Sequence, residues 1–249
     1  MNLKSTMRRY IGQLSWFFVL LAALAVSILT SWFAISSLDY GFPFWYEFYN
    51  IGPHIDHFGP QNRYVSGLEL LPASEHIRLF SEIVYSVHHH GVGLEDIRFI
   101  YQGESQAMLR NAEVIHLQDV ANLVDNLRNL LYTSTAILVV GMPVLVWRRS
   151  NPDVKIQGLL LTFLIGAIST WVMMVGAKEA FYQIHVWIFP PDHDWFFYYQ
   201  DSLMSTLMKA PYLFGGIAIA IIAGATVLFG GILLLIRARF RLLALTAIG

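Results

Sequence analysis

Hydrophobic positions in this chain do not alternate evenly with polar ones. They collect into four runs, near Leu14–Ile35, Leu130–Trp147, Ile156–Val175 and Tyr212–Ile236, with polar stretches between them. Each run approaches the roughly 20 apolar residues that a helix needs to cross about 30 Å of hydrocarbon, so the pattern predicts four transmembrane helices. Gly141 and Pro143 fall inside the second run. A membrane helix tolerates them where neighbouring groups satisfy the freed backbone.

The pattern changes character between the runs. From Asp39 to Asn129 the chain is too long for a bare loop and reads as a small domain of its own. Its opening, DYGFPFWYEFYNIGPHIDHFGPQNRY, is dense in aromatic residues, Gly and Pro, and is expected to be irregular with short strands. Downstream, Ile77, Phe80, Ile83, Val84 and Val87 recur at helical spacing, with Ser74 in the N-cap position and Gly91 just past the end. IRFIYQGESQAMLRN reads as strand and turn. A second helix is expected from about Ala112, where Val120, Leu123, Val124, Leu127 and Leu130 form a stripe that runs into span two. The fold class is therefore membrane α-helical: four transmembrane helices with a small mixed α/β domain between spans one and two. The chain divides into 1–38 (N-terminus and first span), 39–111 (outer domain) and 112–249 (catalytic helices, the remaining spans, the second outer loop and the C-terminus).

Composition sharpens this. Of 249 residues 56% are hydrophobic and 13% charged, against about 25% charged in a soluble domain. The net charge of −1 gives nucleic acid nothing to bind. There is no cysteine, which excludes disulfides, thiolate nucleophiles and thiolate metal sites. Lys4, Arg8 and Arg9 precede span one, Arg148, Arg149 and Lys155 lie between spans two and three, and Arg237, Arg239 and Arg241 follow span four. All three clusters fall on one side if every run crosses, so both termini are expected in the cytoplasm. The first run is longer than the ~7–15-residue core of a signal peptide and reads as an uncleaved anchor. The stretches 39–129 and 176–211 then face outward, and they contain all nine histidines.

Three groups of residues could carry chemistry. In EVIHLQDV, spacings of three place Glu113, His116 and Asp119 on one helix face, where a carboxylate can fix the tautomer of an imidazole. The same octapeptide also suits a solvated charged face above the membrane. In FYQIHVWIFPPDHDWFFYYQD, His185 follows span three among aromatic residues and acids. Spans two and three form a hairpin that delivers His116 and His185 to the same side, although an interfacial aromatic belt would look similar. The run His88-His89-His90, with His54, Asp56 and His57 upstream, raises a metal site. Adjacent histidines on a helix point apart, so the run is expected to be dispensable. Nucleophile elbows, phosphate loops and zincin motifs are absent from the sequence.

EVIHLQDV leading into span two, together with His185, Phe189 and Trp195 after span three, resembles the bacterial lipoprotein intramolecular transacylases (Lit). The four-span topology with a large outer loop agrees. Val186 and the insertion Pro190-Pro191-Asp192-His193 before Asp194-Trp195 depart from the family pattern. The resemblance implies an acyltransferase of the bacterial cytoplasmic (inner) membrane whose active site lies on the extracytoplasmic side. Such an enzyme moves an acyl chain from the sn-2 position of a lipoprotein's diacylglyceryl group to the α-amino group of its N-terminal cysteine, giving the lyso-form lipoprotein. It implies His116 and His185 as catalytic residues, with Glu113, Asp119, Asp194 and Trp195 in support. No cofactor and no metal are called for; the partners are diacylglyceryl-modified lipoproteins and membrane lipids. The residues alone also admit a histidine-rich metal-binding membrane protein or a non-catalytic membrane subunit.

Overall fold

A computed structural model describes residues 3–246, with the side chains of residues 6–239. Four of its helices contain segments long and apolar enough to cross a membrane: Thr6–Ser36, Asn111–Trp147, Val154–Val175 and Tyr212–Arg239. They lie in α1 (Leu3–Ser36), α5 (Asn111–Trp147), α6 (Val154–Val175) and α9 (Tyr212–Thr246). Between α1 and α5 come α2 (Phe42–Phe48), α3 (Ile51–Phe58), α4 (Ala73–His88) and the antiparallel pair β1 (Arg98–Tyr101) and β2 (Glu104–Ala107). Between α6 and α9 come α7 (Ala177–Ile188) and α8 (Leu203–Met208). The chain is a multi-pass, mostly helical membrane protein.

Two compact units share these elements. The first comprises residues 1–30, 129–187 and 224–249. Its core is small: Trp16, Val19, Leu20, Leu145 and Ile236. None of the most apolar 18-residue window of α6 is buried, and Leu159, Phe163 and Met173 are exposed. An all-round apolar helix without protein cover has only lipid left as its solvent. The polar end of this unit is tied by specific bonds. Gln13 donates to the Asn151 carbonyl at 3.0 Å, Trp16 donates to the Ser150 carbonyl at 3.0 Å, and Arg9 pairs with Asp153 at 3.4 Å. Asp153 also caps α6 by accepting from the amides of Lys155 and Ile156. Arg9 and the 148–155 loop thus share one end of the unit, as the charge pattern required. The side chains of Lys4 and Arg241 lie outside the described residues.

Residues 31–128 and 188–223 form the second unit. Its core gathers Phe42, Ile51, Ile55, Leu79, Phe80, Ile83, Phe99, Met108, Leu117 and Leu207. The predicted helix is α4, whose buried stripe includes Phe80, Ile83, Val84 and Val87. It starts two residues early, with Pro72 as N-cap in place of Ser74, and Gly91 lies two residues past the C-cap His89. The predicted strand and turn is the β1–β2 hairpin. Its two-residue turn has Gln102 at φ +52° and Gly103 at φ +84°, the backbone that matches the twist of a two-residue hairpin.

One expectation fails. The opening stretch is helical, folded into α2 and α3 rather than short strands. Pro43 and Pro53 sit in first turns, where their missing N–H groups have no intrahelical partner to lose. Asn50, at φ +50°, makes the corner between the two helices. Phe42 stacks on Phe80 at 3.9 Å, and this packing outweighs the weak helix propensity of an aromatic segment.

Candidate functional site

α5 begins at Asn111, and its first turns carry Glu113, His116 and Asp119 as the spacing predicted. The Glu113 carboxylate is 1% exposed. It accepts the Arg110 amide at 2.8 Å, closing the N-terminal turn of its own helix, and the Ser202 hydroxyl at 2.5 Å. Ser202 in turn caps α8 by accepting from the Ser205 amide at 2.8 Å. Glu113 therefore joins the starts of α5 and α8. The Arg110 guanidinium lies 3.5 Å from the same carboxylate and 4.4 Å over the Tyr64 ring.

One turn further along, His116 is buried against the aromatic residues of the 189–202 stretch. Phe189 meets its ring edge-on at 5.0 Å, and Phe197 lies at 6.0 Å. Asp119 continues the same face. Its carboxylate accepts Nδ1–H of His193 at 2.6 Å. That carboxylate raises the His193 pKa above the ordinary histidine value, with Asp192 adding to the effect, so the ring is biased toward imidazolium. Asp194 is exposed and Trp195 half-buried beside Phe196, at 6.1 Å. The loop is anchored further on by Arg63, whose amide donates to the Gln200 carbonyl at 2.9 Å and whose guanidinium pairs with Asp201 at 3.2 Å.

His185 lies in the other compact unit, on α7. The chain reaches it by a break rather than by a straight continuation of α6. Gly176, at φ +87°, ends that helix, and α7 starts at the next residue. Nδ1–H of His185 donates to the Phe181 carbonyl at 2.8 Å, which leaves the basic lone pair on Nε2. Burial holds its pKa below the ordinary value, so the ring is neutral at pH 7. Trp187 stacks on Trp171 at 5.5 Å.

The remaining histidines separate by role. His76 is a core residue, bonded to the Tyr46 hydroxyl at 2.8 Å and to the Leu68 carbonyl at 2.8 Å. His54 and His57 do share a helix, α3, because Pro53 occupies its first turn. Burial pulls the His54 pKa to about 4, between the rings of Phe58 and Tyr199. The run at 88–90 fans out. His88 meets the Tyr40 hydroxyl at 2.8 Å, His89 the Tyr85 carbonyl at 2.7 Å, and His90 the Asp125 carboxylate at 2.6 Å. Among the described residues no three His, Asp or Glu side chains converge as a metal site. Replacing exposed His89 and His90 by Gln is expected to leave activity within a few fold. Replacing His88 is expected to lower the melting temperature, because its ring is half-buried against Phe33 at 5.8 Å. An activity assay with a thermal melt on each variant checks both; loss of activity with loss of a bound metal would reverse the assignment.

His193 and Ser202 escaped the sequence reading. Both act across gaps of more than seventy residues, His193 on Asp119 and Ser202 on Glu113, where no spacing rule operates. The only signal was the density of acids and aromatics around them.

Residues 100–210 match the family model described as Lipoprotein intramolecular transacylase Lit, so the resemblance to that family is borne out. No curated protein matches the chain by sequence. Among solved structures, the in meso structure of the membrane integral lipoprotein intramolecular transacylase Lit from Bacillus cereus aligns with a TM-score of 0.64 at 17% identity, over 96% of this chain and 98% of that one. A variant of that protein with one histidine changed to arginine aligns with a TM-score of 0.66 at 17% identity, over 98% of each chain. A histidine-to-alanine variant gives 0.64 at 17% identity, again over 98% of each chain. This likeness establishes a shared fold.

Proposed function

We propose that this protein is an intramolecular acyltransferase acting on lipoproteins at the outer face of a bacterial inner membrane. It transfers the sn-2 acyl chain of the diacylglyceryl group to the α-amino group of the N-terminal cysteine, and lyso-form lipoprotein is the product. The observation that carries this reading is His116, an imidazole seated between Phe189 and Phe197 inside the segment matched by the family model. Its surroundings suit an acyl chain better than a water-borne substrate.

The chemistry needs no enzyme nucleophile, because the amine belongs to the substrate. One N–C bond forms, the ester C–O bond breaks, and one proton passes from the amine to the glyceryl oxygen. We assign that proton transfer to His116 and His185, both imidazoles in apolar settings. His185, neutral at pH 7, is ready to accept a proton. Holding ester and amine of one molecule together supplies the entropic advantage of an intramolecular reaction. Both termini are assigned to the cytoplasm, the side that retains the cations near Arg9 and Arg148.

The test is mass spectrometry of lipoprotein N-termini from bacteria that lack N-acylation, with and without this protein. An N-acyl, monoacylglyceryl cysteine that appears only with the protein is expected. Unchanged diacylglyceryl peptides with a free amine would overturn the assignment.

A further inference from the structure

An amine that attacks an ester drives negative charge onto the carbonyl oxygen, and a donor aimed at that oxygen lowers the barrier. The proton transfer assigned to His116 and His185 leaves this task without a residue. His193 lies in the loop whose flanking residues Phe189 and Phe197 both contact the His116 ring. Its Nδ1–H is fixed on Asp119 at 2.6 Å, and Asp119 follows His116 by one turn on the same face of α5. The His193 side chain remains 35% exposed, with Nε2 on the ring position away from that carboxylate. We propose, resting on the acyl-transfer reading, that His193 held by Asp119 is the oxyanion donor, its Nε2–H bonding the carbonyl oxygen of the sn-2 ester as the amine adds.

The role fits the charges around the ring. Asp119 on α5 and Asp192 on its own loop face His193 and favour its imidazolium form, and His116 and Glu113 are the other titratable groups on that face of α5. An imidazolium donates a charge-assisted hydrogen bond without surrendering its proton, so the proton count of the transfer step is unchanged. His193 has its pKa raised, so the donor is present below that pKa and is lost as pH rises through it. The rate therefore acquires a high-pH limb that belongs to His193.

The experiment uses the full-length protein in liposomes with a synthetic diacylglyceryl-cysteine peptide, with kcat and KM measured across pH. His193→Ala is expected to lower kcat by about 10²–10³-fold with little change in KM, the usual cost of one oxyanion donor. His193→Arg, which keeps a cation with N–H donors, is expected to recover much of that loss. Asp119→Asn removes the charge that favours the imidazolium, so the high-pH limb should move to lower pH. A His193→Ala protein at the wild-type rate, or an Asp119→Asn limb that stays in place, overturns the role of His193 and leaves the acyl transfer standing. Failure of the wild-type protein to N-acylate the peptide would remove both.

Discussion

Replacing either His116 or His185 by Ala is expected to reduce formation of lyso-form lipoprotein by about 10²–10⁴-fold, the usual worth of a positioned general acid or base. The two losses should not multiply in the double variant. Groups that act on one proton transfer fail together, so the double variant is expected near the rate of the weaker single one. His116 is 8% exposed, and its loss also leaves a gap between Phe189 and Phe197. His116→Gln fills most of that space and is the better control for folding. It should melt near the wild type and remain inactive. The His185 variants carry an additional signature. Burial holds this ring's pKa below the ordinary histidine value, so the loss of activity that comes from protonating His185 is expected at lower pH than for an ordinary histidine. Rates are read from mass-spectrometric progress curves on a defined lipopeptide. A variant at either position that turns over near the wild-type rate ends that residue's catalytic role.

Sequence pattern located what depends on local physics. Lipid-facing helices must be apolar on every side, so the four spans were visible as runs that fall inside α1, α5, α6 and α9. The amphipathic stripe of α4 and the strand and turn in IRFIYQGESQAMLRN were also legible, because each is decided within a dozen residues. The segment 42–58 was not. Its Pro and aromatic content argues against helix, and only stacking such as Phe42 on Phe80 reverses that preference. The same division holds at the site. Glu113, His116 and Asp119 share a face because of helical periodicity, which the sequence displays. Their partners do not follow from it. Glu113 or Asp119 was expected to orient His116; what the sequence did not show is that Glu113 also holds Ser202 and Asp119 also holds His193. Those pairings come from the path of the 189–202 loop, which Pro190 and Pro191 end as helix but do not otherwise direct.

Glu113→Ala is expected to be among the most destabilising single substitutions in the protein. The carboxylate satisfies two donors, the Arg110 amide at 2.8 Å and the Ser202 hydroxyl at 2.5 Å, with the Arg110 guanidinium at 3.5 Å. Hydrogen bonds to a charged group are worth about 1.5–3 kcal/mol each. Leaving a buried donor without its partner costs about 1–3 kcal/mol, because the group left behind stays desolvated. Glu113→Gln should lie between Ala and wild type. Its amide oxygen can serve one donor, while its NH₂ group faces the other unless the Ser202 hydroxyl turns to accept. Ser202→Ala should cost less than Glu113→Ala, removing the contact to Glu113 and the cap on α8 but leaving the Arg110 amide satisfied. The double variant should be less damaging than the sum of its parts, with a coupling of about 0.5–3 kcal/mol for residues in one network. Thermal unfolding of the four variants and the wild type in the same lipid or detergent reads these differences directly. Additive effects, or a Glu113→Ala protein that melts with the wild type, would show that this carboxylate does not hold α5 to α8. Glu113 would then return to the role its spacing first suggested, orienting His116.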